Sequence, residues 1–135
     1  MSFIEMEHTA DVKMHVEAEC LDELFSEAAR AMMNVMYGSP GSNGISHPIR
    51  VNAPDLVALM HAFLSEILYI TDTEGLVVSG ASVRVKETCL EGRLAGEPFQ
   101  AEKHRGGCEI KGISLSGLQI IREEGTYIME VLFDV

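Results

Sequence analysis

The chain has 135 residues, 47% of them hydrophobic and 23% charged, with a formal net charge of −11. That length supports one domain with a real core, residues 1–135, and the apolar content excludes a disordered tail protein. Asp and Glu outnumber Lys and Arg by 21 to 10, a balance that predicts no direct grip on nucleic acid and suits a soluble protein, or one that docks on a basic partner.

Phe3–Met6 reads as a short strand and His8–Asp11 as the turn that follows it. Val12, Met14, Val16 and Ala18 alternate with Lys13, His15, Glu17 and Glu19, the period of a strand with one buried and one wet face. Leu21, Leu24, Phe25, Ala28, Met32, Val35 and Met36 recur at helical spacing, and Asp22 and Glu23 suit the helix N-terminus. Gly38–Pro48 reads as a loop and Ile49–Ala53 as a short strand.

Pro54–Asp55 opens a second helix running to about Ile70 and ended by the turn Thr71–Gly75. Its apolar residues cover most of the circumference, which places it at the centre of the fold. His61, Ser65 and Glu66 interrupt that stretch, and it is too short to span a bilayer. Further strands are expected at Val77–Lys86, Cys89–Ala95, Cys108–Ser114, Leu118–Arg122 and Tyr127–Phe133, with a longer loop between Gly96 and Gly107. The last strand is apolar on both faces apart from Glu130 and should be central. The expected architecture is α+β: two helices packed on a mixed, mostly antiparallel sheet, in a single domain.

Cys20, Cys89 and Cys108 are odd in number, widely spaced and free of any Cys-x-x-Cys pair. That argues against a zinc site or disulfide framework and for a reducing cytoplasm. The N-terminal residues lack a basic region followed by an apolar run, so they do not read as a signal peptide. The signatures of serine hydrolases, zinc proteases and phosphate-binding loops are absent.

One geometric candidate remains. Asp11 precedes the Val12 strand and Asp134 follows the last one. If those strands pair antiparallel, the two carboxylates meet, and the terminal carboxylate of Val135 joins them. Oxygen donors without sulfur or imidazole suit a hard cation, Ca²⁺ or Mg²⁺. The same spacing also suits an Asp11 that bonds its own turn and a solvated Asp134. His8 could support Asp11 from behind. His104 and Lys111 could recognise an anion or balance local charge. Asp72 and Glu74 read as a polar helix end, and His61 as a satisfied core histidine.

Several segments carry a resemblance. They are His8-Thr9-Ala10-Asp11, Asp72-Thr73-Glu74-Gly75, Gly96-Glu97 with His104, Glu109-Ile110-Lys111 and Asp134-Val135. In this order and spacing, over essentially the whole chain, the sequence resembles the archease family. The resemblance implies a metal-binding accessory of an RtcB-type tRNA-splicing RNA ligase that promotes its guanylylation and multiple turnover, and that meets tRNA only through the ligase. It implies calcium as the ion, with Asp11, Asp134 and Val135 as ligands and Lys111 as a functional contact. After Lys111 the family's usual Ala, apolar residue, Thr, Tyr and His are replaced by Gly112, Ile113, Ser114, Leu115 and Ser116, so no role is carried over to Leu115 or Ser116. The alternatives are a broader chaperone of RNA-modifying enzymes, such as a tRNA methyltransferase, and a small metal-dependent hydrolase.

Overall fold

The structure is a computed structural model and describes residues 11–38, 44–104, 107 and 109–135. The expected strand Phe3–Met6, together with His8 and Cys108, lies outside the described residues. The α+β architecture holds, with the strands divided between two sheets. The first contains β1 (Asp11–Ala18), β5 (Gly112–Ile113), β6 (Gln119–Glu123) and β7 (Thr126–Asp134). The second contains β2 (Ile45–Asn52), β4 (Cys89–Pro98) and β3 (Leu76–Lys86), in that order across the sheet. Every pairing among the described residues is antiparallel. β7 pairs with β1, β5 and β6, the central place its two apolar faces require.

Helix α1 (Leu21–Tyr37) buries one stripe: Leu24, Phe25, Ala28, Ala29, Met32, Met33 and Met36. Its first turn is fastened to the second sheet, because the Asp22 carboxylate accepts the Val85 N–H at 2.8 Å. The helix ends at Gly38, whose N–H donates to the Asn34 carbonyl at 2.9 Å. Helix α2 (Leu56–Glu74) starts at Asp55, whose side chain accepts the Ala58 N–H at 2.8 Å. Phe25 and Phe63 meet edge to face at 5.6 Å between ring centres, and both are fully buried. This pair joins the two helices at the middle of the core.

Three expectations need correction. α2 does not stop near Ile70. Thr71–Glu74 form its last turn, and Gly75 caps it in the left-handed conformation with φ 65°. At 19 residues the helix is therefore long and apolar enough to cross a membrane by length alone. Here it is a core element instead, with Leu59, Met60, Phe63, Leu64 and Ile67 buried against both sheets and α1. The second correction is that Ile45–Pro48 belong to β2, not to a loop. Pro48 is tolerated because β2 lies at the sheet's edge, where a missing N–H costs no ladder bond. The third is that, among the described residues of the strand expected over Cys108–Ser114, only Gly112–Ile113 are strand.

Candidate functional site

Asp11 opens β1 and Asp134 closes β7, and the ladder makes them direct partners. Cross-strand partners project from the same side of a sheet. The buried residues Val16, Met129, Val131 and Phe133 mark the other side as the core face, so both carboxylates stand on the wet side. Farther along the same face, Lys13 lies 3.5 Å from Glu130 and His15 lies 3.3 Å from Glu130. Those neighbours compensate each other. Among the described residues the Asp11 and Asp134 side chains have no ion pair or hydrogen bond, leaving two like charges side by side.

The other side of Asp134 is held by β5. The Lys111 N–H donates to the Asp134 carbonyl at 2.6 Å, and Gly112 pairs with Asp134. Ile110 is buried while Glu109 and Lys111 flank it in solvent, so one apolar anchor fixes two charged side chains outward. Val135, which follows Asp134 directly, is half-buried and packs on the core.

Lys111 also borders a groove of about 790 Å³ between the C-terminal ends of the two helices. Its walls include Tyr37, Tyr69 and Phe99, with Asp72 and Glu109 as acidic members. Burial and the negative charges of Asp72 and Glu109 push the Tyr37 phenol above its ordinary value. Tyr69 and Phe99 are 62% and 49% exposed, unusual for rings in so small a core protein.

One wall of that groove is set by a buried polar clasp. Glu97 and His104 are 3% and 4% exposed. The Gln100 N–H donates to His104 Nδ1 at 2.9 Å, so Nε2 carries the proton and donates to Glu97 Oε2 at 2.6 Å. Lys103 Nζ reaches Glu97 Oε1 at 2.8 Å. Lys103 first and His104 second hold the Glu97 carboxyl below its ordinary value. The clasp turns Phe99 toward Tyr37, at 6.2 Å between ring centres, and ties Phe99 N–H to the Gly75 carbonyl at 2.8 Å. His104 is thus a buried structural residue, and the anion it contacts is the chain's own Glu97. His61 is likewise satisfied, its Nε2 donating to the Ile113 carbonyl at 2.9 Å.

The strand pattern led to Asp11, Asp134 and Val135 and the family resemblance to Lys111; the structure pairs Asp11 with Asp134 and bonds the Lys111 N–H to the Asp134 carbonyl. Neither led to Tyr37, Tyr69 or Phe99. Each lies in a segment whose periodicity reads as helix or loop, and only the folded chain shows that they share a wall. Among the described residues no three His, Cys, Asp or Glu side chains gather as a metal cluster. The corner fits a hard cation all the same: two adjacent, unpartnered carboxylates and nearby main-chain oxygens, with water completing the shell.

These features define a small α+β domain with an acidic two-strand corner beside an aromatic groove. The Archease protein family (MTH1598/TM1083) matches residues 3–135, and the chain belongs to that family. It is 31% identical to the protein archease of Pyrococcus furiosus, over 96% of this chain and 95% of that one. It is 30% identical to the protein archease-like of Drosophila melanogaster, over 100% of this chain and 91% of that one. Protein 1598 of Methanobacterium thermoautotrophicum has a similar solution structure, with a TM-score of 0.74 and 25% identity over 94% of each chain. A crystal structure of an archease, possible chaperone, from Thermotoga maritima shares the fold, with a TM-score of 0.68 at 18% identity over 95% of this chain and 93% of that one.

Proposed function

We propose that this chain is a non-catalytic accessory of an RtcB-type tRNA-splicing RNA ligase, acting in the cytoplasm to promote ligase guanylylation and repeated turnover. Membership of the archease family supports the reading. The observation that carries it is the exposed acidic pairing of Asp11 with Asp134, joined by the Lys111 backbone bond to a residue that borders an aromatic groove. Asp11, Asp134 and the main-chain oxygens of Val135 would hold Ca²⁺, or Mg²⁺ in its place, with His8 supporting Asp11. A bound cation would supply fixed positive charge and open positions for oxygen atoms of the partner. The chain's own residues do the rest: the carboxylates orient the ion, Lys111 offers a charge-assisted donor, and the groove accepts partner side chains.

An activator of this kind acts by preferring the guanylylation-competent state of the ligase. A tenfold shift needs a preference of only about 1.4 kcal/mol. The test is ligation past the first turnover, with trace and equimolar amounts of this protein. Stimulation at trace amounts, lost with Asp11→Ala in a folded protein, is the expected result. No gain in turnover, or full stimulation by Asp11→Ala, would refute the reading or its site.

A second reading, a chaperone of RNA-modifying enzymes such as a tRNA methyltransferase, takes its support from the description of the Thermotoga maritima relative as a possible chaperone. Suppression of methyltransferase aggregation, without any effect on ligase turnover, would favour it.

A further inference from the structure

The solvent face of the second sheet gathers charge opposite in sign to the rest of the molecule. The ladder sets Arg50, Glu91 and Arg84 in one row across β2, β4 and β3. The next rows are Pro48, Arg93 and Ser82 on one side, and Asn52, Cys89 and Lys86 on the other. Arg50, Arg84, Lys86 and Arg93 are all exposed, while Ile49, Leu90 and Leu94 point to the core. This one face therefore holds four of the ten Lys and Arg residues and one of the twenty-one Asp and Glu residues. A second carboxylate, Glu87, lies beyond it in the β3–β4 turn. The net charge of −11 conceals this face, because its cations are spread over 44 positions of sequence and only the three-strand register collects them.

Among the described residues Arg50, Arg84 and Lys86 form no ion pair with a carboxylate. Arg93 is steadied by its Nε–H, which donates to Ser46 Oγ at 2.6 Å, leaving its other guanidinium nitrogens outward. A shallow groove of about 700 Å³ runs between Arg50 and Arg84, flanked by Pro48 and Ser82 and lined also by Gly92 and by one carboxylate, Glu91. Successive rows on one sheet face are about 6.8 Å apart. The cations thus form a repeating line suited to a polyanion, not a single anion pocket.

The composition of the face selects among polyanions. A protein partner needs apolar or aromatic anchors at the centre of its interface. Here the centre is Glu91 between Arg50 and Arg84, with Arg93 and Lys86 in the adjacent rows, ringed by Ser46, Ser82 and Asn52, the residue types that contact phosphate and sugar. No Phe, Tyr or Trp stands in these rows to stack a base. We infer that this face binds the phosphodiester backbone of single-stranded RNA, weakly and without sequence preference. The inference rests on the charge register of the second sheet and does not depend on the ligase reading.

The test is fluorescence anisotropy of the intact protein with labelled oligouridylate and oligoadenylate, with polyglutamate as competitor. Neutralising three to four phosphates on a single strand gives a slope of about −2 to −3 in log affinity against log salt. Binding at about 25 mM salt should therefore weaken roughly a hundredfold or more by about 200 mM. Arg50→Glu with Arg84→Glu should cost at least tenfold at low salt, whereas Lys13→Glu on the other sheet should change affinity less than twofold. Circular dichroism must show both variants folded, and Arg50→Gln with Arg84→Gln serves if charge reversal unfolds the sheet. Equal affinity for the two oligonucleotides is expected. Absence of binding at low salt, retention of binding by both paired variants, or displacement of the RNA by polyglutamate at lower concentration than by unlabelled RNA would overturn the inference. Ligase stimulation is read separately with Asp11→Ala, so either result can fail without the other.

Discussion

Asp11 and Asp134 are cross-strand partners on the wet face of the first sheet, two carboxylates brought side by side by the β1–β7 register. Like charges directly opposite on a ladder destabilise it, by about 0.2–1 kcal/mol. In the absence of divalent ions, Asp11→Asn or Asp134→Asn should therefore raise stability by about 0.5 kcal/mol. With Ca²⁺ present the order should reverse, since the wild type alone keeps both carboxylate charges, and an Asn carbonyl is the weaker ligand for the cation. Thermal melts with chelator and with calcium check both halves, and an identical calcium response in wild type and variants would remove these residues from the site.

Lys111 separates function from stability. Its backbone N–H holds Asp134, while its side chain is exposed beside the groove. Lys111→Ala keeps the backbone bond, so the denaturation midpoint should stay within about 0.5 kcal/mol of wild type. Ligase stimulation should fall at least tenfold. A variant that stimulates fully would confine Lys111 to a structural role.

The Glu97–His104 clasp carries a pH signature. The Glu97 carboxyl is held below its ordinary value by Lys103 and then His104. A depressed carboxyl contributes stability above its unfolded pKa, near 4.3, and loses that contribution as pH falls through the lower folded value. Glu97→Gln should therefore be less stable than wild type at neutral pH, and the gap should close in the acid range. Urea titrations from about pH 7 down to about pH 3 measure it. A gap that stays constant with pH would show that shape, not charge, matters at this position.

The β6–β7 hairpin offers a gain. Glu124 and Gly125 both have positive φ, 52° and 82°, in a two-residue loop between Glu123 and Thr126. That is the type I′ turn, for which Asn-Gly is preferred. Glu124 bears a left-handed strain of about 1 kcal/mol that Asn tolerates better. Glu124→Asn should stabilise the protein by about 0.5–1 kcal/mol without altering ligase stimulation. An unchanged or lower midpoint in denaturant would disprove the turn assignment.

Much of this arrangement is legible in the residues because it depends on local period. The alternation from Val12 to Ala18 and the stripe from Leu21 to Met36 each encode one buried face, and β1 and α1 follow them closely. The Asp11–Asp134 corner was legible because two strand ends and one pairing direction determine it. Elements controlled by distant partners were harder to read. Ile45–Pro48 carry a proline and lack alternating hydrophobicity, and become strand only because β4 offers an edge. The Tyr37–Phe99–His104 wall depends on a loop drawn inward by the buried Glu97, which nothing in the local sequence distinguishes from an exposed glutamate.

Gly107 shows the same dependence at closer range. A β-carbon there would collide with the carbonyl oxygens of Met36 and Val35 at the end of α1, so backbone packs directly on backbone. Any side chain would push this strand-linking segment off the helix.

The hub position of β7 also governs when the first sheet can exist. β1, β5 and β6 make their ladders to β7, and β1 must wait for a partner 115 residues away at His15–Glu130. On a ribosome β1 therefore stays without its β7 partner until residues 126–134 have been translated. Pairings of such long sequence separation also form slowly once the partner arrives. The acidic corner at Asp11 and Asp134 is thus among the last features to be built, and a ribosome stalled before residue 126 carries a nascent chain with both helices and the second sheet but no site.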